Sequence, residues 1–233
     1  MQAAEVVKTL KGQGTAQNRK IYARHGIHEP MFGVSVADLK ALAKRIKVDQ
    51  SLAEELWATG NHDCRILATM IAAPAKVSKK TLTAWAKDVP DRCLAAELAR
   101  VASRSPFAVE LCSKWCASKR EPEVWAGWAT VAALAVEEQG SDELDELFDA
   151  CLDVIEQHLQ ASPNFTRYQM NGALIAIGGR NAKLKKRALA AAKKIGKVEV
   201  DHGETSCQTP AAAAYIEKIW AHKAKRATNA VAP

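Results

Sequence analysis

From residue 2 to residue 226 the chain carries helix start and stop signals so closely spaced that it can only build many short helices. Ser35 has Asp38 three residues on, close to a capping box. Ser105-Pro106, Ser162-Pro163 and Thr209-Pro210 each place a hydroxyl before a proline suited to a first helical turn. Ser141 precedes Asp142 and Glu143, acids that favour the positive end of a helix dipole. Gly60, Gly140, Gly178-Gly179 and Gly196 supply stops. Between these signals alanine and leucine recur at helical spacing. The pattern predicts helices over 2–11, 15–24, 35–46, 49–59, 62–73, 78–87, 91–103, 106–119, 121–138, 142–160, 163–178, 181–195 and 210–226. A short extended stretch is expected at 197–200.

About a dozen helices in pairs that recur every 30 to 45 residues fall in the range of HEAT and armadillo repeats. The expected fold is therefore all-α, an α-solenoid of HEAT/armadillo-like helical pairs. No linker rich in Pro, Gly or Ser divides the chain, so a single domain over 1–227 is expected, with 228–233 as a frayed tail. There is no apolar run of membrane-spanning length and no secretory leader pattern. The six cysteines, Cys64, Cys93, Cys112, Cys116, Cys151 and Cys207, mostly sit among alanine, leucine and tryptophan, as reduced buried thiols do. A cytoplasmic monomer is the expectation.

The formal net charge is +7, which favours a polyanionic partner. Lys8, Lys11, Arg19, Lys20, Arg24, Lys40, Lys44, Arg45 and Lys47 form one basic zone. A second comprises Lys183, Lys185, Lys186, Arg187, Lys193 and Lys194, followed by Lys223, Lys225 and Arg226. Between them lies an acidic segment, 142–156. Two basic zones flanking an acidic one suggest a basic groove.

Few residues form a recognisable chemical motif. There is no G-x-x-x-x-G-K-[ST], G-x-G-x-x-G or G-x-S-x-G, so neither a nucleotide cofactor nor serine-hydrolase chemistry is expected. H-E-x-x-H and C-x-x-C are absent too, and no metal site is expected, although His25, His28 and Glu29 share a loop. The six tryptophans read as core between helical pairs, with one or two free to line a groove. In "TGNHDCRILATMIA", Asn61 or Asp63 reads as a helix cap, with His62 and Arg65 in the same first turn. In "DVPDRCLAAELARVASRSP", Asp91 stands at a helix start. It reads either as a cap or as an acid facing a groove, able to stabilise positive charge on a sugar.

Four stretches together resemble the AlkD-like DNA alkylation repair family: "MFGVSVADLKALAKRIKVDQSLAEELWATGNHDCRILATMIA", "DVPDRCLAAELARVASRSP", "EPEVWAGWATVAALA" and "YQMNGALIAIGGRNAKLKKRALAAAKKI". The resemblance implies a HEAT-like superhelix whose basic concave face holds duplex DNA through phosphates. It also implies a DNA glycosylase that excises alkylated purines. In that reading the aspartate of the pocket maps onto Asp91, with Trp125 and Trp128 as its aromatic neighbours. Lys87 stands where the family has a tryptophan, Gly127 or Trp128 where it has an arginine, and Gly172 and Ile175 at a further tryptophan and arginine. The cations assigned to the DNA face are Arg65, Lys87, Arg180, Lys183, Lys186 and Arg187.

The segment "VEVDHGETSCQTP" lies beyond the matched region. It reads first as a turn, with Gly203 at positive φ and Asp201 or Thr205 bonding backbone amides. His202 is also a candidate to lie near a bound phosphate or base. Two other readings stand beside DNA repair. One is a non-catalytic HEAT-repeat scaffold binding DNA or protein. The other is an unrelated enzyme using Asp201, His202 and Cys207.

Overall fold

Helix α5 (His62–Ile71) is apolar over most of its circumference, and eight of its residues are buried. A helix of that composition has to be surrounded, and the first part of the chain is built around it. The computed structural model describes residues 1–28, 30–137 and 141–231, with side chains described as far as Arg226. Thirteen α-helices and one 3-10 turn are present among the described residues, with no strand. The order is α1 (Ala3–Gln13), α2 (Ala16–Arg24), α3 (Val36–Ile46), α4 (Gln50–Ala58), α5, α6 (Lys79–Lys87), α7 (Arg92–Ala102), α8 (Ala108–Cys116), α9 (Glu121–Val136), α10 (Asp142–His158), the 3-10 turn (Leu159–Ala161), α11 (Asn164–Gly178), α12 (Ala182–Ile195) and α13 (Ala212–Val231).

Two compact units divide the chain, and the boundary falls within α9. The first comprises Met1–Thr130 and His202–Ser206. In it α5 packs against α1, α3, α4 and α7, and α6 packs on α7. Its core is a continuous set of aliphatic side chains with Trp57, Trp85 and Trp115 among them. The second unit holds Val131–Asp201 and the chain from Cys207 onward. There α12 packs on α10, α11 and α13, over Phe148, Leu152, Leu174, Leu184 and Ile216. Gly178 permits the α11–α13 approach, because a Cβ there would lie 2.6 Å from Ile216 Cδ1.

Caps explain the breaks. Thr15, Ser35, Asp49, Asn61, Ser78, Asp91, Ser141 and Asn181 each accept amide hydrogen bonds at a helix N-terminus. The three hydroxyl-proline pairs behave otherwise. Ser105 lies ahead of the cap position of α8, which Phe107 occupies, and its hydroxyl donates to the Ala102 carbonyl. Pro163 itself is the cap residue of α11, and α13 starts two residues after Pro210. A proline restricts the residue before it to extended backbone, so these pairs shape the approach to a helix rather than its first turn. Residues 197–200 pair with no strand, and α13 runs through 228–231, the residues expected as tail. Glu29, the Gly140 stop and residues 232–233 lie outside the described residues. No helix of the described residues is long and apolar enough to cross a membrane.

Candidate nucleic-acid interface

In the first unit the N-termini of α5 and α7 meet. Asn61 caps α5 by accepting from the amides of Asp63 and Cys64 at 3.1 and 3.3 Å. That frees the Asp63 carboxylate, only 1% exposed, to accept from the backbone amides of Phe32, Gly33 and Val34 at 2.6, 3.0 and 2.9 Å. Asp63 therefore fixes the 32–34 segment and is not the cap of α5.

Asp91 caps α7: its Oδ1 accepts from the amides of Cys93 and Leu94 at 2.8 and 2.9 Å. Its Oδ2 lies 3.3 Å from His62 Nε2, at ion-pair distance without hydrogen-bond alignment. The aspartate is 5% exposed and the histidine 6%. Burial alone would raise the Asp91 pKa. The His62 imidazole and the two amides outweigh it and hold the carboxyl below its usual range. Asp91 is thus at a helix start, as the sequence indicates, with both oxygens directed at protein groups.

The remaining pocket candidates divide between the interior and the surface. Trp128 is 3% exposed, while Trp125 is half-buried, with its Nε1 donating to Glu121 Oε1 at 3.3 Å. Position 127 has no room for a side chain, since a Cβ there would lie 2.6 Å from the Cys116 amide nitrogen. Gly172 is the opposite case: a Cβ would meet nothing within 4 Å. Lys87, at the end of α6, is exposed. Trp57 and Trp85 stack at 4.4 Å in the core, and Arg65 lies over Trp57 at 5.2 Å. Arg65 donates to the carbonyls of Trp57 and Asp88, so its guanidinium closes the end of that stack.

In the second unit the two charge zones cancel in part. Arg187 on α12 pairs with Asp149, Asp153 and Glu156 of α10, and Lys194 pairs with Glu156. Arg180 pairs with Asp145 at 2.9 Å and lies over Phe148. The acidic segment is thus the internal partner of α12. Lys183 and Lys186 are exposed and pair with no carboxylate among the described residues. The first unit differs. All nine lysines and arginines from Lys8 to Lys47 are exposed, and none pairs with a carboxylate among the described residues.

The 197–210 segment is an irregular connection that bends at residues 204–205. Gly203 has φ +62, and the Thr205 hydroxyl donates to the His202 carbonyl at 3.0 Å. The Asp201 backbone exchanges two hydrogen bonds with the Asn164 side chain. His202 belongs to the first unit, and Asp201 and Cys207 to the second. Among the described residues no three His, Cys, Asp or Glu side chains are placed to hold a metal ion. No sequence signal could have linked His62 to Asp91, since each alone reads as an ordinary first-turn residue.

Comparison with known proteins agrees with this fold. The uncharacterized protein Lin0241 of Listeria innocua is 32% identical over 205 residues, 85% of this chain and 88% of its own. Lmo0209 of Listeria monocytogenes, also uncharacterized, is 30% identical with the same coverage. A solved structure, from a family of proteins related to the HEAT-like repeat DNA glycosylases with affinity for branched DNA structures, superposes with a TM-score of 0.85. It is 30% identical, and the match covers 96% of this chain and 95% of that one. The family model described as DNA alkylation repair enzyme matches residues 6–216. The chain is an all-α, HEAT-like helical-repeat protein, and it belongs to the DNA alkylation repair enzyme family.

Proposed function

We propose that this protein binds DNA through its backbone phosphates, favours branched DNA, and does not excise bases. The observation that carries the reading is the set of exposed cations from Lys8 to Lys47, uncompensated by any carboxylate among the described residues. Phosphate contacts of this kind supply affinity without sequence preference. The preference for branched DNA is supported by the affinity described for the structural relative. The absence of excision is supported by Asp91, whose two oxygens are directed at the α7 amides and His62. It is supported also by position 127, where the Cys116 backbone bars an arginine. Arg65, Arg180 and Arg187 serve structure in this reading, and Lys87, Lys183 and Lys186 remain available to phosphates.

Fluorescence anisotropy of a labelled three-way junction and of a matched duplex, each across a salt series, tests this. Log affinity is expected to fall linearly with log salt, by about 0.9 per phosphate neutralised, with the junction bound more tightly. A duplex carrying a methylated purine is expected to release no base. Salt-insensitive binding would indicate an apolar protein-binding groove instead. Release of the modified base, lost in Asp91→Asn, would restore the glycosylase reading.

A further inference from the structure

The first unit contains a cavity of about 420 Å³ between α2, α3, α5 and α7. Its walls are mainly apolar, with Ile27, Val34, Leu39, Ile66 and Met70 contributing, and Tyr22 on one side. His62 lines it and is 94% buried, by its 6% exposure. The Nε2 of that ring is turned to Asp91, which does not line the cavity, and Nδ1 has no hydrogen-bond partner. Beside this cavity is a cleft of about 390 Å³, which shares Val36, Met70 and Glu97 as walls. The cleft is lined by Lys40, Arg100 and Arg104. Glu97 is 3.7 Å from Arg100 and leaves Lys40 and Arg104 without an acidic partner among the described residues.

We infer that the cavity receives a single unstacked nucleobase of a DNA strand, with that nucleotide's phosphate on Lys40, Arg100 and Arg104. This rests on the DNA-binding reading above. A base is a flat body with apolar faces and a polar edge. An apolar cavity with a few convergent polar groups is the form of site that takes such a body, and sequence-tolerant single-strand recognition uses aromatic and apolar platforms beside a cationic track. Here Tyr22, Ile66 and Met70 offer faces, and Glu97, which lines both the cavity and the cleft, offers a polar contact to the base edge. Branched DNA is the substrate on which unpaired, unstacked nucleotides are available without the cost of breaking a base pair.

The test uses the full chain and three labelled DNAs: a three-way junction with one unpaired adenosine at the branch point, the same junction with an abasic residue there, and a duplex. Losing the base is expected to weaken binding about ten-fold. Ala96→Trp on α7 and Val36→Trp on α3 fill the cavity from positions that line it and are exposed. Either substitution is expected to bring the ratio of base to abasic affinity to one. Equal binding of the two junctions by the unaltered protein overturns the inference, as does a ratio that survives both substitutions. Failure to bind any of the three DNAs at low salt overturns the DNA reading itself, a separate result. Deoxyadenosine monophosphate is expected not to displace the junction. Displacement at micromolar nucleotide would show a site for the free nucleotide and overturn the strand-held base.

Discussion

If Asp91 is a structural joint between α5 and α7, its substitutions have to order by which of its two contacts they keep. Asp91→Asn retains an oxygen for the Cys93 and Leu94 amides but removes the charge facing His62. Asp91→Ala removes both. The cap is worth about 1 kcal/mol. A buried hydrogen bond to a charged group is worth roughly 1.5–3 kcal/mol, and the His62 contact, at ion-pair distance without that alignment, contributes no more than the lower end, about 1.5 kcal/mol. Asp91→Asn should therefore destabilise the fold by about 1.5 kcal/mol, and Asp91→Ala by about 2.5 kcal/mol. Urea unfolding with linear extrapolation resolves that difference. Pairing each substitution with His62→Leu gives the coupling directly: Asp91→Asn should cost measurably less once the imidazole is gone. The reasoning fails if Asp91→Asn leaves stability unchanged, or if it is indifferent to the presence of His62. A stable Asp91→Asn that had lost a base-releasing activity would mark the carboxylate as chemical rather than structural.

Acid should act through the same residue. The Asp91 pKa is lower folded than unfolded, so its contribution is complete above the unfolded value of about 3.9 and is lost as pH falls through the folded one. Stability measured by denaturant from pH 6 downward is expected to drop in that acidic window, and the drop should be smaller in Asp91→Asn. Gly127 and Gly172 should respond to substitution in opposite directions. Gly127→Ala forces a Cβ within 2.6 Å of the Cys116 amide nitrogen and 2.9 Å of the Trp115 carbonyl carbon. This is backbone that cannot turn aside, so a loss of about 1–3 kcal/mol is expected. Gly172→Ala enters open space within α11 and should gain about 0.5–1 kcal/mol. Melting temperatures moving the same way for both would contradict the packing described for them.

The sequence by itself determined the helices and their order, because caps and apolar spacing act over a few residues and need no distant partner. All thirteen helices lie where the pattern places them, and their ends move by only a few residues, except α13, which runs on to Val231. The hydroxyl-proline pairs mislead because the same dipeptide suits either a first turn or the extended approach to one. The family was also legible, since several degenerate motifs in one order and spacing together carry a signal that none carries alone. Tertiary structure alone decided what the charged and polar residues do. Whether Arg187 faces a phosphate or Asp153 depends on where α10 packs. Whether Asp91 is a groove acid or a buried cap depends on His62, brought to it from another helix. A cavity has no sequence signature, because its walls come from four helices and the segment between α2 and α3, and its defining feature is the volume they fail to fill. Local energies write themselves into a chain at short spacing. The partner of a buried charge is a long-range fact, and only packing supplies it.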